Sequence, residues 1–277
     1  ARRWPAPGPP IPPDSLVGFV LDRAALFAPG EGWAYSDTGY LILGMVVEEA
    51  AGRGVSEEIE ARFLEPLGLT ATGPSDRRVL PGLVPGYVDP DNPFGLPRRT
   101  TSAGDTMAWH PGVEGAGGGL VSTALDLARW AAALYRGRAL DAPYLEELLQ
   151  ARPVDGAGGE TSYGAGVAIR GSGPLGPSWG HAGWIPGYVS SMRYYPERAV
   201  AVAVQINTDG PFARGAEAGE VLAALEIRLA RIIAGRPAAP GGWPPGEPPR
   251  PARAGHGPTP YGAMPPPDSL SRRRHVP

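Results

Sequence analysis

Residues 199–207, AVAVAVQIN, are apolar at odd and even positions alike, and a strand of that kind is stable only where both of its faces are covered. Its partner precedes it. GYVSSMRYY (187–195) also reads as a strand, and the intervening turn PER makes the two a hairpin. YGAGVAIR (163–170) reads as a third strand, with His181 lying in the approach to the hairpin. A cover for one face follows directly: AGEVLAALEIRLARIIAG (218–235) is an amphipathic helix with Leu222, Leu225, Leu229 and Ile232 or Ile233 at helical spacing. Glu220 near its start and Arg228 and Arg231 near its end suit the helix dipole. An antiparallel sheet with a C-terminal helix laid across it is expected.

The hydrophobic period upstream is 3.6. SDTGYLILGMVVEEAAGRG reads as a helix with Ser36 or Asp37 as N-cap and Gly52 as its stop. Its apolar residues nearly encircle it, which predicts burial all round. SEEIEARFLEPLGL is expected to begin at a Ser56 cap and to end at Pro66. VSTALDLARWAAALYRG carries a Thr123-x-x-Asp126 capping box, a face of Leu127, Trp130, Ala131 and Leu134, and a Gly137 stop. APYLEELLQ is a further short helix. Between these helices, residues 70–118 form a polar, Gly- and Pro-rich excursion too long for a simple connection, either a functional loop region or an irregular subdomain. Helices first and strands later define an α+β fold, an antiparallel sheet plus a helical subdomain.

The 41 glycines and 35 prolines of this 277-residue chain matter chiefly through where they fall. Residues 1–13 hold six prolines and are expected to be extended, while residues 236–277 read as a Pro-rich disordered tail, which leaves 14–235 as the folded domain. The formal net charge is -3 and no basic stripe interleaves with aromatics, so nucleic acid is not an expected partner. The sequence shows neither a signal peptide nor an apolar run long enough to span a membrane, and location is left open. There is no cysteine, which removes disulfides, thiolate metal sites and a cysteine nucleophile. All 25 basic residues are arginine, so no lysine is present to act as a neutral amine base.

Three stretches carry candidate chemistry: Tyr35-Ser36-Asp37 at a helix mouth, Gly115–Gly119 before a capped helix, and Gly180-His181-Ala182-Gly183-Trp184. Taken singly, each has a structural explanation: a cap, a flexible loop, a turn histidine. No histidine pair has metal-ligand spacing, and GAGGG lacks the preceding strand and glycine spacing of a phosphate cradle, so neither metal nor other cofactor is expected.

Taken in order, YSDTGYLILG (35–44), EPLGLTATG (65–73), GGLVSTALDLARW (118–130), GHAGWIPGY (180–188) and VAVQINTDG (202–210) resemble the serine β-lactamase and D-alanyl-D-alanine carboxypeptidase family across roughly residues 25–235. Within it the chain looks closest to the class C β-lactamases and related carboxypeptidases and esterases, which use histidine in the third motif where other members use lysine. The resemblance implies a β-lactamase/transpeptidase-like fold and acyl transfer on D-Ala-D-Ala peptides, β-lactams or esters. It makes Tyr35 the tyrosine of a Tyr-x-Asn motif, a phenol that relays the nucleophile's proton and then protonates the leaving group, a task that requires nearby cations to lower its pKa. Asp37 stands where the family often has Asn; an ionised Asp accepts but cannot donate, which favours an ester over an amide substrate. His181 would bind a substrate carboxylate or support Tyr35. Gly183 would let substrate lie flat against the strand, and the main-chain N–H of Trp184 would supply half of an oxyanion hole. Trp109 and Trp184 would line the pocket or simply pack.

The family's nucleophile and base form a Ser-x-x-Lys pair, and no such pair occurs in this sequence. Ser36, Asp37 and His181 do not replace it as a triad, because Ser36 and Asp37 are adjacent on a helix start and point apart. The expectation is therefore a domain incomplete at its N-terminus and inactive by itself, whose partners are a small-molecule or peptide substrate and an N-terminal complementing segment. The alternative is a non-catalytic remnant that keeps the pocket and binds a ligand or a partner.

Overall fold

The computed structural model describes residues 8–102, 105–154, 161–210 and 218–235; residues 1–7 and 236–277, where the extended leader and the disordered tail were expected, lie outside the described residues. Its centre is a six-stranded antiparallel sheet of β1 (Arg152–Pro153), β2 (Thr161–Tyr163), β3 (Ala168–Arg170), β4 (Ser178–Ile185), β5 (Tyr188–Tyr195) and β6 (Val200–Ile206) in simple sequence order, each strand paired with the next. The expected hairpin is β5–β6, with Tyr195 opposite Val200, joined by a 3-10 turn over Pro196–Arg198.

Two strand expectations change. The single strand expected over 163–170 is two: the chain reverses through Gly164 and Gly166, the latter at φ +77, so Tyr163 pairs with Ala168 instead of continuing toward it. The stretch expected to be an approach to the hairpin, with His181 in it, is the eight-residue strand β4. Its Gly180 is there because a Cβ would meet the Met192 carbonyl of β5 at 1.9 Å, which only glycine avoids.

Both faces of β6 are covered. On one side lies α2 (Ala124–Tyr135), whose Ala131, Leu134 and Tyr135 join Trp179 and Tyr194 of the sheet and Leu145 and Leu149 of α3 (Ala142–Leu149) in the main core. On the other lies α4 (Ala218–Ala234), where Leu222 and Ala230 meet Tyr195, Val200, Val202 and Val204. The face that α4 presents differs from the expected leucine stripe. Leu222, Ala223, Glu226 and Ala230 point inward, while Leu225, Leu229 and Ile232 are exposed. The reason is polar. The Glu226 carboxylate, 0% exposed, accepts from Ser191 at 2.5 Å and Tyr195 at 3.1 Å, and pairs with Arg170 and Arg193 at 3.7 and 3.8 Å. Those four partners all rise from the sheet, and a buried carboxylate must be met there. β6 itself is the edge of the sheet, with no strand on its outer side among the described residues.

The helix α1 (Asp37–Ala51) has the expected limits: the Ser36 hydroxyl accepts from the Gly39 N–H at 3.2 Å, and Gly52 closes it in the left-handed region at φ 69. Burial all round is not found. Leu41 and Gly44 are buried, whereas Leu43 and Val46 are 54% and 57% exposed and Ile42, Met45 and Val47 are exposed beside them. The next helix begins after Gly54, not at Ser56, and the Glu57 side chain accepts from the Gly54 N–H at 2.9 Å. Nor does it stop at Pro66. A π-helical segment, Glu60–Leu64, precedes Glu65–Leu67, and the end comes at Gly68, φ 64. The wider turn leaves room for a residue with no N–H to give.

Residues 70–118 fold irregularly around Leu80, Met107 and Trp109, in two-residue strands and isolated bridges. At their end, Pro111–Glu114 makes a 3-10 turn and Gly115–Gly118 a short helix against α1. The glycine run has a packing cause: Gly44 of α1 lies so near that a Cβ there would come within 2.9 Å of Ala116, and Gly117 sits against Asp37 and Tyr40.

Candidate functional site

Tyr35 and His181, 146 positions apart in sequence, face each other with ring centroids 6.2 Å apart and planes tilted by 30°. Three elements bring this about. Ser36 takes the capping role at the mouth of α1, which leaves Asp37, the first helical residue, free to turn its carboxylate toward the phenol just outside the helix. β4 carries His181 beyond the end of β3, because β3 pairs only with Ser178, Trp179 and Gly180. From His181 to Ile185, β4 is paired on the β5 side alone among the described residues. The Gly115–Gly118 helix closes the wall behind Asp37 and Tyr40.

A third ring completes the group. Tyr163 ends β2, and its phenol oxygen lies 2.5 Å from Nε2 of His181. It stands edge-on to both other rings, at 5.7 Å and 81° to His181 and 6.2 Å and 83° to Tyr35, while Trp33 packs against it at 5.2 Å. Nothing local in the sequence marks Tyr163 for this place. It arises from register alone: Tyr163 pairs with Ala168 and Ala168 with Gly180, the neighbour of His181. Glu114 was missed for a similar reason, since the turn that ends at Gly115 brings it to the same wall.

The electrostatics are set by burial and by one carboxylate. Burial, then Asp37, pushes Tyr35 up to about 12 and Glu114 up to about 7. Tyr163 is also pushed up, first by burial and then by Tyr35, Tyr40 and Asp37. His181 is lowered by burial and by Arg193, against the opposing pull of a hydrogen bond to the Ala182 main chain and of Asp37. The site therefore holds neutral phenols, a neutral imidazole and acid groups, and the cation that acts on its imidazole, Arg193, is itself buried.

The remaining candidates sit further along β4. Gly183 faces Ser190 of β5, and a Cβ there would meet the Ser190 hydroxyl at 2.6 Å, so a cross-strand contact also keeps this position small. Trp184 is 38% exposed; its indole N–H donates to Asp209 at 3.1 Å, and with Phe94, Asp89 and Asp91 it lines a cleft of about 190 Å3. Trp109, by contrast, is 1% exposed and belongs to the core of the 70–118 region rather than to a pocket. No helix among the described residues is long and apolar enough to cross a membrane.

A helix-flanked antiparallel sheet in this order is the arrangement of the β-lactamase/transpeptidase fold, and comparison with known proteins gives the family. The β-lactamase family model matches residues 2–226, and the chain belongs to the β-lactamase family. Penicillin-binding protein 4* of Bacillus subtilis (strain 168) is 30% identical over 197 residues, 68% of this chain and 43% of that protein. Among solved structures, a D-stereospecific amidohydrolase from Streptomyces sp. superposes with a TM-score of 0.66 at 27% identity, covering 78% of this chain and 61% of that one. The D-amino acid amidase from Ochrobactrum anthropi SV3, complexed with D-phenylalanine, shares the fold with a TM-score of 0.69 at 24% identity, covering 84% and 68%. The chain thus spans less than half the length of its curated relative and about two thirds of these structures.

Proposed function

We propose that this chain is the proton-handling and substrate-holding part of a serine hydrolase of the β-lactamase and penicillin-binding type, acting by acyl transfer once a Ser-x-x-Lys segment is brought to it. The observation that carries this is the meeting of Tyr35 and His181 on one wall, at 6.2 Å, beside the open stretch of β4. In this reading Tyr35 passes a proton between the incoming serine and the leaving group, His181 supports it, and the main-chain N–H of Trp184 stabilises the developing oxyanion. Asp37 and Gly183 hold the substrate.

The charge of the site narrows the choice among D-Ala-D-Ala peptides, β-lactams and esters. With the Asp37 carboxylate at its mouth and no exposed cation acting on it among the described residues, the wall disfavours a substrate carboxylate and favours an ester or amide without one. Support for such a segment comes from α1, where Ile42, Leu43, Met45, Val46 and Val47 are exposed among the described residues, in the helix that begins two residues after Tyr35, so a helix carrying Ser-x-x-Lys and seated there would be continuous with the site.

One observation favours the alternative of a binding remnant for the chain by itself. A proton relay needs a phenol poised well below 10, and Tyr35 is displaced the other way, to about 12. Only an ammonium group supplied from outside reverses that. A fluorescent penicillin or phosphonate probe tests both readings. The chain alone takes no covalent label, whereas the chain joined to a helical segment that carries Ser-x-x-Lys is labelled on that serine, roughly a hundredfold more slowly after Tyr35→Phe. Labelling of the chain alone sinks the first reading, and a folded but unlabelled fusion leaves the binding remnant.

A further inference from the structure

We propose that Tyr163 is the positioning residue of this site: its phenol donates to Nε2 of His181, locks the imidazole as the neutral Nδ1–H tautomer, and so bars His181 from serving a substrate carboxylate. The inference rests on the reading of this wall as the active site and decides between the two roles open to His181.

The geometry leaves little freedom. The Tyr163 oxygen lies 2.5 Å from Nε2, and the ring stands edge-on to the imidazole at 81°, which aims the phenol at the ring nitrogen rather than at the imidazole face. A neutral imidazole has one N–H and one lone pair. A hydrogen bond to the Ala182 main chain also acts on the ring, and we assign its single proton to Nδ1 for that bond, which leaves Nε2 as the acceptor. Tyr163 must then be the donor, and it has the proton to give, because burial among Tyr35, Tyr40 and Asp37 keeps it a phenol.

With both nitrogens engaged, the imidazole offers nothing to a ligand. What it presents to Tyr35 is a ring face, tilted by 30° at 6.2 Å, and a flat neutral wall holds the Tyr35 ring without competing for its proton. The charged and titratable groups that face His181 are Tyr163 from β2, Tyr35 from the turn before α1, Asp37 from α1 and Arg193 from β5. Of these, Arg193 opposes the imidazolium and Asp37 favours it, and Tyr163 alone touches the ring nitrogen.

The test is long-range proton–nitrogen NMR of the uniformly 15N-labelled full chain across pH, a readout that needs no turnover. The chain has four histidines, and the His181 signal is assigned by its loss in His181→Gln. The expected wild-type spectrum shows Nδ1 protonated, Nε2 bare and a titration midpoint below the ordinary 6.5. In Tyr163→Phe, which keeps the ring and its packing, the midpoint rises and the single tautomer gives way to a mixture. A wild-type signal with the proton on Nε2 overturns the proposal without any variant, as does a Tyr163→Phe spectrum indistinguishable from wild type. Labelling by the penicillin probe is untouched by either result, so the reading of the site stands or falls separately.

Discussion

Helices α1 and α2 are built alike and used differently. Each starts at a hydroxyl cap, Ser36 for α1 and Thr123 for α2, and each ends at a left-handed glycine, Gly52 or Gly137. Yet α2 sinks Ala131, Leu134 and Tyr135 into the core under Trp179, whereas α1 buries only Leu41 and Gly44 and turns five large apolar residues outward. Apolarity in a sequence thus announces a contact without saying where the other surface is. In α2 that surface is the sheet of the same chain; for α1 most of it is not among the described residues.

The contrast can be broken at the closed side first. Trp179→Ala empties the space between α2 and the sheet and is expected to cost about 3–5 kcal/mol in urea unfolding. A loss below about 1 kcal/mol would mean that this core is as open as the face of α1. Glu226→Ala, which removes the buried carboxylate that Arg170 and Arg193 face beneath α4, is expected to cost about 3 kcal/mol by the same measurement.

The site at the mouth of α1 shows itself through pH. Glu114 is raised to about 7 in the folded chain from an ordinary 4.5, so the folded state holds its proton more tightly and stability falls as pH climbs from about 4.5 to about 7. The amount is of the order of 2 kcal/mol after allowance for partial exposure, and Glu114→Gln flattens it in melting curves. His181, lowered from 6.5, acts in the opposite sense below that pH, where the unfolded chain takes up the proton first.

The smaller effects sharpen the comparison. Ser36→Ala and Thr123→Ala each remove a cap worth about 1 kcal/mol, and equal losses in chemical denaturation show the two helix starts to be equivalent. Leu43→Ser and Val46→Ser, on the open face of α1, are expected to change stability by less than about 0.5 kcal/mol while lowering the binding of an apolar dye.

Much of this architecture was legible because it is written locally. The Ser36 and Thr123 caps, the glycine stops, the PER hairpin and the two-faced burial of β6 all follow from residues within a few positions of one another. What escaped depends on pairs far apart in the chain. α4 turns Leu225 and Leu229 outward because Glu226 has partners on β3 and β5, and no helical wheel contains them. YGAGVAIR looked continuous because a tight reversal at Gly164–Gly166 resembles a strand with small residues. In the site, Tyr35, Asp37 and His181 stood out by motif, while Tyr163 and Glu114 became visible only once strand register and a glycine-lined helix contact had placed them.

The outer rim of β6 has a further consequence. Seven residues, uncharged throughout and without proline, present a row of main-chain donors and acceptors that no strand pairs among the described residues, open to anything extended that drifts alongside. In a concentrated solution the commonest such object is another copy, and stacking of copy upon copy at this rim follows second-order kinetics. Dilution, or a single arginine introduced at Gln205, should lengthen the lifetime of the preparation without altering its melting point.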